Sequence, residues 1–299
     1  MAAEGDNIIR FNYTDEDRRV PRDVTHVTID KSVTVIPANA FYYNRNIVEV
    51  ICDVNVKRAE RLAFLNCTPL IRVIMPGVEV VEMLSLAGCL ALADIECGKL
   101  EIIKDNAFTQ CTSLRSINLP SAKIVEMSAF ADTALTDAKF SSKLDRIEEM
   151  AFLCCPSLER ITIPLKDGLI TADDTFRGCE NLRHVDLVEG PIHETIAALQ
   201  LEEWRNDMYE EIDSINQILH IVDAGFYDDD DDVGEKAQAI RTWIRSVLRK
   251  VIHFKAEHQR LLDEQVATTL EHSLPQDIVM NNVRPFLELP SYTFELDEE

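Results

Sequence analysis

The stretch NAFTQCTSLRSINLP, residues 106–120, returns 44 residues later as MAFLCCPSLERITIP, residues 150–164. Aligning on the aromatic residue extends the match in both directions. The marker falls at Phe41, Phe64, Phe108, Phe130, Phe152 and Phe176, with Leu86 in the one long gap, so that the steps are 22 to 24 residues. Three residues after it stand Asn44, Cys67, Cys89, Cys111, Thr133, Cys155 and Cys179. Then come Ile47, Leu70, Leu92, Leu114, Leu158 and Leu182, followed three further on by Val50, Val73, Ile95, Ile117, Ile161 and Val185. Five residues before the marker stand Ile36, Ala59, Val81, Ile103, Val125 and Ile147. Six or seven positions recurring in seven units make an internal repeat of about 22 residues.

One such unit cannot bury its own apolar positions, so neighbours must stack into a continuous core. The L-x-x-I-x-L segment is spaced as a short strand, and each repeat adds one strand to a parallel sheet. At about 4.8 Å per strand, seven repeats make a sheet roughly 35 Å long. The fold expected is therefore α/β: a leucine-rich-repeat solenoid of seven units followed by a C-terminal α-helical hairpin or cap. The Cys precedes the strand, and Pro76, Pro120 and Pro164 close several units. This pattern, [LV]xx[IV]xxxAFxxCxxLxxIxLP over residues 24–188, resembles the BspA-like leucine-rich-repeat family. The resemblance implies a curved solenoid that binds other proteins or surface molecules, and it implies no reaction. Two units depart from the pattern. The fifth is one residue short between Phe130 and Leu135, and the seventh carries two extra residues near PLKDGLI, residues 164–170.

The repeat changes the meaning of the eight cysteines. Cys67, Cys89, Cys111, Cys155 and Cys179 share one position, and Cys52 and Cys97 share another with Met75, Leu119 and Ile163. Repeat position rather than pairing explains all but Cys154, so the expectation is buried, reduced thiols acting as small apolar side chains. On that reading a serine at Cys111 brings a hydroxyl into an apolar column without a partner. There is no C-x-x-C, so no zinc site is expected.

The ends depart from the repeat. Val24, Val27 and Ile29 have strand spacing without the Ala-Phe half and read as a capping strand, with residues 1–23 as a covering segment. The solenoid then spans 24–190 and a helical region 191–299. Gly190-Pro191 breaks the period. From there an amphipathic helix is expected over 194–222, an acidic loop over 223–234, a second and longer helix of about 39 residues, a short helix near DIVMNNVRPFLELP, and an acidic tail. Residues 194–222 hold seven acids against Arg205, whereas residues 236–260 hold seven bases against Glu257. Opposite charges beside two apolar seams predict an antiparallel hairpin closing the solenoid. The far end of the second helix, Leu261 to Leu270, outruns that partner; it must pack on the last repeat, the short helix or another chain, so a homodimer through these helices is one expectation.

Composition narrows the function. The chain has 299 residues, 46% of them apolar, and a net charge of −23. That charge argues against nucleic acid, which needs a basic footprint, and against anionic lipid. No apolar run is long enough to span a membrane. No leader segment is evident, and a cytoplasmic location is expected. There is no glycine-rich phosphate loop, no H-E-x-x-H and no G-x-S-x-G. The run Asp228–Asp232 lacks the glycine and glutamate of a calcium loop and reads as a solvated loop. His253 and His258, five apart, read as surface residues. No cofactor and no metal are expected.

The remaining candidate is the sheet face turned away from the core, because side chains alternate along a strand. Its positions are Glu49, Arg72, Asp94, Glu96, Ser116, Asn118, Asp137, Lys139, Arg160, Thr162, His184 and Asp186, with Ile51 and Ile74. Charges of both signs and no aromatics suit a polar protein partner better than a glycan. The expected function is a non-enzymatic protein-interaction scaffold. The alternative is an adapter built on the C-terminal helices: LPQDIVMNNVRPFL, residues 274–287, weakly resembles the start of an F-box, and IRTWIRSVLRKVIHF, residues 240–254, looks like a calmodulin target anchored by Trp243.

Overall fold

Each repeat closes one coil around a column of apolar side chains, with a strand on each of two sides. The computed structural model describes residues 8–17, 20–222, 235–265, 278–279 and 284–296. In chain order the strands are β1 (Arg10–Tyr13), β2 (His26–Ile29), β3 (Val35–Ile36), β4 (Glu49–Cys52), β5 (Arg58–Ala59), β6 (Arg72–Ile74), β7 (Val80–Val81) and β8 (Asp94–Glu96). They continue as β9 (Ile102–Ile103), β10 (Ser116–Leu119), β11 (Ile124–Val125), β12 (Asp137–Phe140), β13 (Arg146–Ile147), β14 (Arg160–Ile163) and β15 (His184–Leu187). The longer strands form the front and the two-residue strands a back sheet ordered β13-β11-β9-β7-β5-β3. The front is not one sheet. It consists of β1-β2-β4-β6-β8 and β10-β12-β14-β15, because the ladder lapses between β8 and β10.

Packing follows the repeat position by position. Phe41 and Phe64 stack with centroids 4.7 Å apart, and Phe108, Phe130, Phe152 and Phe176 stack at 5.3 to 5.6 Å. All six are buried, each worth roughly 2–3 kcal/mol of burial. Tyr13 continues the column at the front end, 5.6 Å from Phe41. The fifth unit absorbs its missing residue before β12, which pairs Asp137 with Ser116 and with Arg160.

The turn around each Phe is held by main chain passing from coil to coil. The N–H groups of Asn39, Phe41 and Tyr43 donate to the carbonyls of Arg61, Ala63 and Leu65 at 3.3, 2.8 and 2.8 Å. One coil on, Leu62, Phe64 and Asn66 donate to Met83, Ser85 and Ala87. Two residues in each of the first six turns are left-handed to allow this: Asn39 and Tyr43, Leu62 and Asn66, Leu84 and Gly88, Asn106 and Gln110, Ser128 and Asp132, Met150 and Cys154; the seventh, a 3-10 turn over Asp173–Phe176, keeps only Gly178. At Gly88 a Cβ would stand 2.1 Å from Asn66 Oδ1, so the amide of Asn66 would have to turn away, and the φ of +68° favours glycine although other coils hold Tyr43, Gln110 or Asp132 at this place.

The cysteine column does more than fill space. Each thiol donates to the carbonyl of the marker residue one coil back: Cys67 to Phe41 (2.9 Å), Cys89 to Phe64 (3.2 Å), Cys111 to Leu86 (3.3 Å), Cys155 to Phe130 (3.0 Å) and Cys179 to Phe152 (3.0 Å). The purely apolar reading of these thiols is thus corrected. A serine at Cys111 would find the Leu86 carbonyl as acceptor. All eight cysteines are free thiols, and only Cys154 is not fully buried.

Both ends differ from the simplest reading of the sequence. The covering segment contributes its own strand, β1, paired in register with β2. The helix expected over 194–222 is two helices, α1 (Pro191–Ala198) and α2 (Glu202–Ile218). The break has a cause: the Gln200 N–H donates to Nδ1 of His258 (3.1 Å), and Arg205 donates to the Leu199 and Gln200 carbonyls. Helix α3 (Glu235–Gln265) runs antiparallel to α2, with Trp243 Nε1 bonded to the Glu211 carbonyl and Trp204 stacked on Phe254 at 5.5 Å. A last short helix is α4 (Arg284–Leu287). His258, expected at the surface, is 3% exposed. Its Nδ1 accepts the hydrogen bond from Gln200, so Nε2 carries the ring hydrogen and donates to the Leu287 carbonyl at 2.9 Å. The basic face of α3 is divided. Lys250 meets Asp207 and Glu211 of α2, but Arg241 meets Asp173, and Arg245 meets Asp167 in the two-residue insertion of the seventh unit. That insertion is a fastening point for the cap. The acidic loop 223–234 lies outside the described residues.

Candidate partner-binding face

The ladder places the outward residues of the front in two columns. One runs Glu49, Arg72, Asp94 and, past the split, Ser116, Asp137, Arg160, His184. The other runs Ile51, Ile74, Glu96 and then Asn118, Lys139, Thr162, Asp186. Cross-strand neighbours of opposite sign are close enough to pair. Arg72 sits among three carboxylates, Asp94 at 2.9 Å, Glu96 at 3.4 Å and Glu49 at 3.6 Å. Arg160 pairs with Asp186 at 2.5 Å. These are exposed pairs, worth at most about 1 kcal/mol each. Their effect is to fix side chains rather than to stabilise the fold.

The structure gathers the twelve candidates unequally. Where the sheet splits, a cleft of about 460 Å³ is lined by Asp94, Ser116, Asn118, Asp137 and Lys139. Where the face meets the helical cap, a second cleft of about 600 Å³ is lined by Lys139, Thr162 and Asp186 together with His193, Asp213 and Asn216. Lys139 borders both. Among the described residues neither Lys139 nor Asp137 has an ion-pair partner; Asp137 accepts only from Thr136 Oγ1 at 2.9 Å. Glu49, Arg72, Glu96, Arg160 and His184 lie outside the clefts, and His184 meets His220 of the cap edge to face at 6.3 Å. The helical contributors were not visible in the repeat pattern. Asn216 could have been suspected only from its place on α2, where Oδ1 accepts the N–H of Val185 on the last strand at 3.0 Å.

The six-copy model of the "BspA type Leucine rich repeat region" matches residues 22–123 and 85–196. The chain belongs to this family. Solved structures to which the chain is similar include a leucine-rich-repeat protein of T. pallidum, 21% identical, with a TM-score of 0.42, covering 59% of this chain and 73% of that one. A leucine-rich cell surface protein of Faecalibacterium prausnitzii is 18% identical, with a TM-score of 0.34, covering 57% of this chain and 61% of that one. A search of curated proteins returned no match. BspA-type repeats, like leucine-rich repeats in general, serve as protein-interaction scaffolds and typically carry no reaction. Among the described residues no group of His, Cys, Asp and Glu is arranged to hold a metal, and no helix is long and apolar enough to cross a membrane.

Proposed function

We propose that this BspA-type chain is a non-enzymatic scaffold that takes a polar protein partner on its front face. The observation carrying this reading is the pair of clefts sharing Lys139, lined by groups of both signs held on rigid strands. Fixed ion pairs beside them limit the side-chain entropy lost when a partner docks. The charges on Arg72 and Arg160 are already engaged within the face, so Asp137 and Lys139 are the sharper probes. Reversing both, Asp137→Lys with Lys139→Glu, should weaken capture of a partner by the full chain more than tenfold at unchanged melting temperature. Equal capture by the double variant removes the face from consideration.

The adapter reading stands as the alternative. In the structure Trp243 and Ile244 are buried in the cap, so a calmodulin-like partner would have to draw α3 away from α2 and the solenoid. The F-box-like stretch 274–287 falls largely outside the described residues. A cytoplasmic location is proposed from the column of free thiols; mass analysis of the native protein from cells, finding no disulfide, would support it, whereas disulfides would count against it.

A further inference from the structure

The third coil keeps the period of the repeat but not its residues. It comprises β7, Leu86 and β8, and the fourth comprises β9, Phe108 and β10. Leu86 stands where the other six coils carry Phe. The aromatic column is therefore two stacks, Tyr13 to Phe64 and Phe108 to Phe176. Beside Leu86, Ser85 is fully buried where Ala63, Ala107, Ala129 and Ala151 fill the same place, and its hydroxyl has no hydrogen-bond partner among the described residues. Such an orphaned group weakens the packing around it. Gly98 follows β8 where Pro76, Pro120 and Pro164 close other coils, which replaces a fixed φ by a free one.

These departures meet at one junction, and its sides respond differently. On the back, β7 and β9 stay paired, Val80 with Ile102 and Val81 with Ile103. In the turn, Leu84, Leu86 and Gly88 donate to the carbonyls of Asp105, Ala107 and Thr109 at 2.9 to 3.0 Å. On the front no ladder joins β8 to β10. The carboxylates of Asp94 and Glu96 turn back to Arg72 of the second coil rather than across to Ser116 and Asn118. Ile95 shows the result: it is partly exposed, whereas Val50, Val73, Ile117, Ile161 and Val185 of the same column are at most 5% exposed. Every residue involved lies inside the continuously described stretch 20–222.

We propose that this junction is a flexure. Coils one to three and coils four to seven form two rigid halves that bend about the intact back ladder and open or close the front between β8 and β10. A hinge needs one side that holds and one that gives, and this junction has both. In a repeat protein each coil touches only its neighbours, so one weak interface in mid-stack divides the whole into two units. The cleft at the lapse takes Asp94 and Ile95 from one half, and Ser116, Asn118, Asp137 and Lys139 from the other, so its width follows the bend. A protein seated there touches both halves and selects one angle, with Ile95 as the apolar floor. That consequence rests on the reading of the front face given above; the bending itself does not.

The test is the distance between paired spin labels on the full chain, measured by double electron–electron resonance. Cys154→Ser is present throughout, because the other thiols are buried. The front pair is Ile51→Cys with Thr162→Cys and the back pair Val35→Cys with Arg146→Cys, outward positions on the same two coils. Each pair spans five strand spacings, about 24 Å. The front distance distribution should be about twice as wide as the back one, since the back carries the hinge. Ser85→Ala with Leu86→Phe, which completes the ring column and removes the orphaned hydroxyl, should narrow the front distribution to the width of the back. Equal widths before this repair overturn the flexure, and that comparison stands even if circular dichroism shows the repaired chain unfolded. A folded repaired chain with an unchanged front width overturns it too, because the bending then lies elsewhere. A wide front distribution in a chain whose Asp137/Lys139 reversal captures a partner as before keeps the flexure and removes the face, so the two readings fail separately.

Discussion

The thiol columns make the fold sensitive to alkali, and the size of the effect can be worked out. Burial pushes the thiols of Cys52, Cys67, Cys97 and Cys111 from the ordinary value of 9.0 up to about 12. A group whose folded pKa lies above its unfolded one gives stability that is complete below the unfolded value and lost as pH rises toward the folded one. Below pH 9 both states keep the protons and nothing changes. At about pH 10 the unfolded chain has ionised most of these thiols while the native chain has not, and each then favours unfolding by about 1.4 kcal/mol. Together the four remove about 6 kcal/mol, comparable with the whole stability of many domains. The assay is urea unfolding under reductant, with the midpoint followed from about pH 8 to about pH 10. Burial raises Cys89 and Cys179 as well, so replacing Cys52 and Cys97, which fill the column of Met75 and Leu119, by Val removes two of at least six such thiols and should cut the slope of stability against pH by about a third. The slope is the readout because it is insensitive to any packing cost of the valines. Lys104 and Lys123, whose ion pairs with Glu126 and Glu101 raise their pKa values, titrate later and do not confuse this window. A midpoint constant to pH 10, or an equal slope in the double variant, refutes the reasoning.

Lys236→Met should cost about 3 kcal/mol and loosen the last coil first, because a buried ammonium donating to the carbonyls of Cys179, Glu180 and Leu182 at 2.8 to 3.0 Å would be lost; native-state hydrogen exchange in residues 176–187 checks it. Met150→Asn should stabilise by about 0.5–1 kcal/mol in chemical denaturation, since Met150 holds φ 53° at a place Asn adopts with less strain. Cys111→Ser should cost less than Cys111→Val by roughly 1 kcal/mol, because only the hydroxyl can still donate to the Leu86 carbonyl. Gly88→Ala should lower the melting temperature by several degrees, through the close approach of Asn66 and a φ of +68°.

The solenoid was legible because stacking forces one residue type at each position of every coil; Phe108, Phe130 and Phe152 repeat in sequence because they touch in space. What the repeat could not show is anything that depends on the path between repeats. The lapse between β8 and β10 leaves Ile95 and Ile117 in their expected places, so the period carries no trace of it. The cysteine position was recognised, but an acceptor on the main chain of another coil has no sequence signature. Helix α2 was foreseen from its apolar spacing, whereas its separation from α1 depends on His258, 58 residues away from Gln200. For the same reason the face was found but its two clefts were not, since His193, Asp213 and Asn216 reach it from the cap.

The two ends of the stack are finished by different chemistry. Around each Phe the N–H groups donate to the next coil, as Phe41 does to the Ala63 carbonyl. Before the strands they donate to the preceding one, as Ile71 does to Val48 and Glu101 to Glu79, so each end of the stack presents both kinds of group. At the far end both kinds of group are met by side chains of the cap. Asn216 accepts from Val185, Lys236 supplies donors to the carbonyls of the last coil, and Arg245 with Asp167 ties α3 to the seventh unit. These ties come from α2 and α3, which are themselves joined through Trp243 and Lys250, so the cap and the last coils should unfold as one cooperative unit. At the near end the ring of Tyr13, 5.6 Å from Phe41, continues the Phe column and β1 pairs in register with β2, so that end is finished by a ring and a strand where the far end is finished by helices.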